Sequence, residues 1–199
     1  MGRPKNFDPD RVLNIAMWHF WAQGYHASKL DDIAQAASVS KPSLYAAFGD
    51  KDALFIKVLE RYNHLFCERI LTAMGKAQTL EEVLRFFLHE TLSIFLDNKL
   101  PGGCFRVQAT LECLDNKADL FEVAANLREN FIAGMKQTFL DKQAPRALAT
   151  RLSAMLIVLY DGLAVAARSG ENNEALRETA SLSIASMLSL VRTAMARSA

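Results

Sequence analysis

Helix-breaking residues are scarce in this chain: five prolines and nine glycines are spread thinly over 199 positions. Long stretches are therefore free to be helical, and no convincing strand, repeat or low-complexity tract interrupts them. Cysteine is scarcer still. Cys67, Cys104 and Cys113 are odd in number and form no CxxC or Cys/His grouping, so neither a disulfide framework nor a structural zinc site is expected. The histidines His19, His26, His64 and His89 are dispersed, and the chain has no GxSxG elbow and no glycine-rich phosphate loop. An enzyme is not expected on those grounds, nor is a metal or a cofactor. The opening residues MGRPKNFDPD lack the apolar core of a secretory signal, and no uninterrupted apolar run nears 18 residues. A cytoplasmic protein with no membrane partner is the expectation. Charge is nearly balanced, at a formal +1, which leaves nucleic acid open because a basic face can be local.

What the chain does have is apolar residues, 51% of it, recurring at steps of three and four. Asp8 and Pro9 supply an N-cap and a first-turn proline, and Val12, Ile15, Ala16 and Phe20 make one stripe that stops at Gly24. Ser28 with Asp31 resembles a capping box for a second, short helix ending near Ala37. Ser38 and Val39 make a turn, Ser40 caps a third helix over Lys41 to Phe48, and Gly49 ends it. Asp50 opens a long fourth helix toward Met74, and Thr79 with Glu82 is a capping box for a helix to about Asp97. Further helices are expected from about Cys104 to Leu114, from Ala118 to Leu140, after Pro145, and after SGENN. The expected fold is all-α: an N-terminal three-helix domain over 1–52, a larger helical domain over 53–199, and about nine helices in all.

The second and third helices are spaced as a helix-turn-helix. Ala34 is small where the helices cross, Val39 follows the turn, and Leu44 anchors the second helix. With these inward, Ser40, Lys41, Pro42, Ser43 and Tyr45 point outward, and no acidic residue lies between Ser38 and Gly49. Such a face can donate hydrogen bonds to base edges or touch methyl groups in the major groove of double-stranded DNA.

The stretch GYHASKLDDIAQAASVSKPSLYAAFGDKDALF resembles the TetR family of bacterial transcriptional regulators. The resemblance is carried by Gly24-Tyr25, Ile33-Ala34, Val39-Ser40, Ser43-Leu44-Tyr45, Phe48 and Lys51 to Leu54, in order and at matching spacing. Ser38 and Pro42 depart from it, standing where glycine is frequent. The resemblance implies that Ser28, Lys29 and Lys51 hold phosphates, that Tyr45 reaches a phosphate or a thymine methyl, and that Lys41 and Ser43 touch bases. It also implies a basic arm, with Arg3 and Lys5, along the backbone or in the minor groove. Tyr25, Phe48 and Trp21 are assigned to the small domain's core.

Beyond about Met74 the likeness is one of layout, a pocket followed by two pairing helices. Wide stripes on the last two helices, Leu152, Met155, Leu156, Leu159 and Leu163, then Ile184, Met187, Leu188 and Val191, are expected to build a homodimer interface. A small, largely apolar effector is expected against Phe66, Phe87, Phe105, Gln108, Glu112 and Tyr160. The function these readings give is a ligand-responsive homodimeric repressor released from its operator by that effector. The alternatives are a redox-responsive regulator using Cys104 or Cys113 and, in a different class, a helical adaptor that binds no DNA. An adaptor leaves the outward lysine, serine and tyrosine of the third helix unexplained.

Overall fold

The computed structural model describes residues 7–115 and 117–196. Arg3 and Lys5, the expected arm, lie outside the described residues. Among these the chain is all-α, with no strand. It divides into two compact units, residues 1–64 with 105–127, and residues 65–104 with 128–199. The expected boundary at 52/53 falls at the start of the fourth helix, the expected link between the domains. The first unit extends to His64 and takes in a later segment, because an aromatic ladder binds them: Phe55 meets Phe105 at 5.4 Å and Tyr62 meets Phe105 at 5.7 Å, both edge to face. Each such pair contributes about 0.5–1.5 kcal/mol beyond its buried area.

In the first unit α1 (Pro9–Ala27) starts at an Asp8 cap whose carboxylate accepts the Asp10 N–H at 2.9 Å. Its regular path breaks at Gly24, with φ +83°. The short helix α2 (Leu30–Ala37) follows, and here the expected capping box is absent. Lys29 is the capping residue and makes no side-chain cap bond, while the Ser28 hydroxyl donates backward to the Gly24 carbonyl at 2.6 Å. The break at Gly24 frees that carbonyl, so the hydroxyl satisfies the end of α1 rather than the start of α2. Ser38 takes the left-handed conformation, φ 55°, which costs a serine about 1 kcal/mol. Val39 N–H closes the turn on the Ala34 carbonyl at 2.9 Å. Helix α3 (Lys41–Phe48) begins at Ser40, whose Oγ accepts the Ser43 N–H at 3.2 Å. Pro42 sits in its first turn, where no intrahelical N–H is needed. Asp50 then caps α4 (Lys51–Tyr62) through the Ala53 N–H at 2.8 Å. Val12, Ala16, Phe20, Ile33, Leu44 and Phe55 are buried together, so the helix-turn-helix is held on α1 and α4. Helix α7 (Phe105–Cys113) packs on the same two helices, and α8 (Ala118–Asp141) begins in this unit.

After α4 the chain widens into one π-helical stretch, Asn63–Cys67, and continues as α5 (Glu68–Gly75). The expected single helix to Met74 thus carries a π-helical interruption, and with the run from Lys51 to Gly75 counted once the ten α-helices among the described residues are nine. The second unit holds α5, α6 (Leu80–Phe95), the later turns of α8, α9 (Arg146–Arg168) and α10 (Asn173–Ala196). Thr79 accepts the Glu82 N–H at 3.1 Å, as its spacing implies. At the centre, buried Tyr160 is ringed by Phe95 at 4.8 Å, Phe131 at 5.3 Å and Phe87 at 6.3 Å. Gly103 is required beside it: a Cβ there would lie 2.3 Å from the Ala164 carbonyl oxygen, and its φ is +64°.

Helices α9 and α10 are each long and apolar enough to cross a membrane by length and composition, although single polar residues interrupt their apolar runs. Half of the α9 window is buried, but only 28% of the α10 window. Much of α10 therefore lacks a cover in its own protomer.

Candidate nucleic-acid interface

Helix α3 is eight residues, about 12 Å long, and its inward side is fixed by Leu44 and Phe48, both buried. That fixes what is left outside. Ser40, Lys41, Pro42, Tyr45 and Ala46 are exposed and Ser43 is half-buried. Tyr45 stands out at 44% exposure, an aromatic ring that the fold does not use for packing. Ala46, absent from the sequence-based set, adds a methyl to the same face. Ser40 and Ser43 hydroxyls bond each other at 2.7 Å while the Ser40 oxygen also caps the helix, so this pair is both structural and presented outward.

Lys41 is tied in the free chain. Its ammonium lies 2.8 Å from the Asp31 carboxylate, and that hydrogen bond raises its pKa. Both partners are largely exposed, so the pair is of the weak surface kind and can be exchanged for another anion. Lys29 is exposed at the start of α2. Ser28 is not: it is 2% exposed, with its hydroxyl engaged by Gly24, and it drops out of the outward set. Lys51 opens α4 half-buried, its ammonium 4.3 Å from the centre of the Tyr25 ring, and burial lowers its pKa.

Tyr25 is buried, as assigned, but its hydroxyl is not idle. It donates to Asp52, whose other oxygen holds the Lys117 ammonium at 2.9 Å. Burial works against ionisation of Asp52, yet the Tyr25 hydrogen bond and the Lys117 charge prevail and hold the carboxyl below its ordinary range. The Tyr25 hydroxyl is shifted upward by burial and by Asp52. Reading the sequence did not reveal Asp52 or Lys117. They are 65 residues apart, and only the ring at position 25, quoted as part of a motif, marked the place.

The expected effector residues are divided between the two units. Phe105, Gln108 and Glu112 belong to the first unit, where Phe105 fills the aromatic ladder and Glu112 binds the Tyr25 N–H and the Gln108 amide. Phe66, Phe87 and Tyr160 belong to the second. Two open grooves flank α10 there. One, about 540 Å3, runs between α6 and α10 past Arg85, His89, Arg177 and Ile184. The other, about 400 Å3, runs between α9 and α10 past Val158, Gly162, Ala175 and Thr179. None of the six expected residues lines either groove.

The expected dimer stripe is also turned. Leu152, Leu156, Leu163, Ile184, Met187, Leu188 and Val191 are all buried in their own protomer, and Met155 and Leu159 are intermediate. The exposed apolar residues lie on the opposite side: Val158, Val165, Leu182 and Leu190. Both sides of these helices are apolar, and the deeper stripe is consumed by α6 and by the α9–α10 contact.

Of Cys104 and Cys113, the latter is buried and its pKa is pushed up to about 11 by burial and by the nearby Glu112 charge, so it stays a protonated thiol. Cys104 is buried too, and the Tyr160 hydroxyl donates to its sulfur at 3.3 Å. The same oxygen is 3.9 Å from the Cys67 sulfur.

Comparison with known proteins agrees with this geometry. A sequence profile described as "Bacterial regulatory proteins, tetR family" matches residues 12–58. The HTH-type transcriptional repressor ComR of Escherichia coli K12 is 30% identical over 196 residues, covering 90% of this chain and 88% of that protein. The HTH-type transcriptional repressor BdcR of the same strain is 26% identical over 183 residues, covering 91% and 89%. Among solved structures, a cysteine mutant of the regulator CifR complexed with 26-base-pair operator DNA superposes with a TM-score of 0.83 at 26% identity, covering 92% of this chain and 98% of that one.

Proposed function

The chain belongs to the TetR family of bacterial regulatory proteins, and on that premise we propose that it is a homodimeric cytoplasmic repressor whose α3 reads operator DNA and whose release answers to a small apolar effector. It is a DNA-binding transcriptional regulator, not an enzyme. One observation carries the reading at the level of residues: α3 leaves Pro42, Tyr45 and Ala46 exposed on its outer face, with Lys41 beside them held only by an exposed ion pair to Asp31. In this reading residues 1–52 are the DNA-binding part and the rest serves ligand and dimer. Lys41 leaves Asp31 for a base edge or phosphate, Ser40 and Ser43 present hydroxyls, Tyr45 reaches a phosphate or a thymine methyl, and Lys29 and Lys51 hold phosphates. Two copies place their α3 helices about 34–36 Å apart, one turn of DNA.

The dimer face is the outer side of α9 and α10. Val158, Gly162 and Val165 on α9 and Leu182 and Leu190 on α10 are exposed, and the groove between the helices runs along this side. A symmetric partner covers the same patch on both copies and accounts for helices too apolar for their burial. For the effector, the second unit offers the rings of Phe87, Phe95 and Phe131 about the ring of Tyr160. Repression is relieved if effector and operator favour different conformations; a coupling of about 1–3 kcal/mol changes affinity roughly five- to 150-fold. A gel shift with DNA upstream of the chain's own coding sequence tests the reading at moderate salt: a sequence-specific complex is expected, and binding with no sequence preference sinks it.

A second reading, response to oxidants, is favoured by the Tyr160 hydroxyl standing between the sulfurs of Cys67 and Cys104. It transfers the redox role from Cys113 to Cys67 with Cys104. Mild hydroperoxide should remove two hydrogens as a Cys67–Cys104 disulfide and release operator DNA; an intact operator complex after that oxidation rejects it.

A further inference from the structure

We propose that Glu112 and Lys117, at the corner between α7 and α8, are positioning residues for operator binding: together with Asp52 they clamp Tyr25 at its backbone and at its hydroxyl, and the clamped ring sets both the start of α2 and the place of Lys51. The inference rests on the operator-binding reading above and adds to it residues that touch no DNA. All of them lie in the first unit.

At Gly24 the ladder of α1 is broken and the Tyr25 N–H is released from it. Glu112 takes that donor, with Oε2 at 2.6 Å, and its other oxygen accepts the Gln108 amide at 2.8 Å. The carboxylate sits where a side chain at position 24 would be: a Cβ built there lies 2.3 Å from Glu112 Oε1. The glycine is thus the seat for a carboxylate that arrives from far downstream, 87 residues beyond Tyr25, as well as the residue that tolerates φ +83°. The neighbouring His26 ring also meets the Glu112 carbonyl, at 3.1 Å.

The far end of Tyr25 is held by Asp52, and Asp52 by Lys117 at 2.9 Å. The ring between those two anchors carries the Lys51 ammonium on its face at 4.3 Å, with Lys117 at 5.4 Å. A cation on an aromatic face is oriented as well as stabilised. Tyr25 leads directly through Ser28 into α2, and Lys51 is the first residue of α4, so one side chain registers the two places where phosphates are to be gripped. Displacement of the 105–127 segment withdraws Glu112 and Lys117 together and lets go of Tyr25 at both ends.

The test uses the full-length protein and its operator fragment, with affinity measured as a function of salt. Lys117→Met, Asp52→Asn and Tyr25→Phe are compared with wild type, with melting temperature and sedimentation monitored to show that each remains a folded protein of unchanged assembly state. Each single variant is expected to weaken operator binding roughly threefold to thirtyfold, the Lys117→Met/Asp52→Asn pair no more than either alone, because they remove one clamp. The slope of log affinity against log salt is expected to stay at the wild-type value. Wild-type affinity in Lys117→Met overturns the inference. So does a slope reduced by about one in that variant, since it makes Lys117 a phosphate contact instead. So does full additivity of the pair. If the wild-type chain itself forms no specific operator complex, the operator reading falls and this one with it, whereas specific wild-type binding with indifferent variants removes only the clamp.

Discussion

If two copies pair through the outer face of α9 and α10 as proposed, replacing Val158 with aspartate should separate them while leaving each chain folded. Val158 is 70% exposed in its own chain, so the substitution removes little internal packing, and surface changes of this kind stay within about 0.5 kcal/mol. In a two-fold interface the residue is counted twice. Burial of a valine side chain is worth about 1.5–3 kcal/mol, so losing two copies costs about 3–6 kcal/mol and weakens the dimer by two to four powers of ten, before any penalty for burying the new carboxylate. Sedimentation equilibrium at micromolar protein should show monomers with unchanged helicity and melting cooperativity. Leu156→Asp is the informative contrast. Leu156 is fully buried in its protomer, and an unpaired charge there should unfold the chain instead of separating two folded ones. An unaltered dimer constant for Val158→Asp, or a folded monomer from Leu156→Asp, refutes the assignment of the outer face.

Asp31→Asn frees Lys41 from the carboxylate 2.8 Å from its ammonium; operator affinity measured by fluorescence anisotropy should rise a few-fold, with stability nearly unchanged because both side chains are exposed, and a fall in affinity would contradict a competing role for Asp31. Gly24→Ala must both adopt φ +83° and displace the Glu112 carboxylate, so urea denaturation should show a loss of roughly 1–3 kcal/mol; a neutral result would mean the Glu112 seat is not occupied in solution. Cys113, with its thiol pushed up to about 11 by burial, should alkylate at pH 8 roughly 100-fold more slowly than an ordinary thiol. Its sign in stability follows: the raised folded value favours the fold fully below pH 9 and loses that contribution as pH climbs through 11, so Cys113→Ser should flatten the alkaline limb of a melting-temperature profile.

The helix-turn-helix was legible because its determinants are local. Asp8, Ser40, Asp50 and Thr79 cap helices within three residues of themselves, and such signals survive whatever the rest of the chain does. Ser28 misled for a related reason: its spacing to Asp31 imitates a capping box, but the carbonyl exposed by the break at Gly24 is nearer and takes the hydroxyl. The larger unit was legible as helices and not as contacts. In α9 the stripes Leu152–Leu156–Leu163 and Val158–Val165 are both apolar, and periodicity identifies a stripe without naming what covers it. The expected effector residues show the same limit, since Phe105 and Glu112 have the face of a pocket lining in sequence, and the fold uses them to bind α7 to α1 and α4.

That last reassignment changes what α7 is for. A helix expected to line a ligand site instead supplies the carboxylate that occupies the space above Gly24 and precedes the lysine that holds Asp52. The segment 105–127 is joined by peptide bonds to the second unit at both of its ends, so the groups that steady the first unit's DNA-facing helices are supplied by chain that enters from and returns to the second. A signal sensed there needs no long relay of side chains. In the proposed reading it needs only to shift the Glu112 and Lys117 contacts to Tyr25 and Asp52, while Phe105 and Cys113 stay buried and keep the helix itself in place.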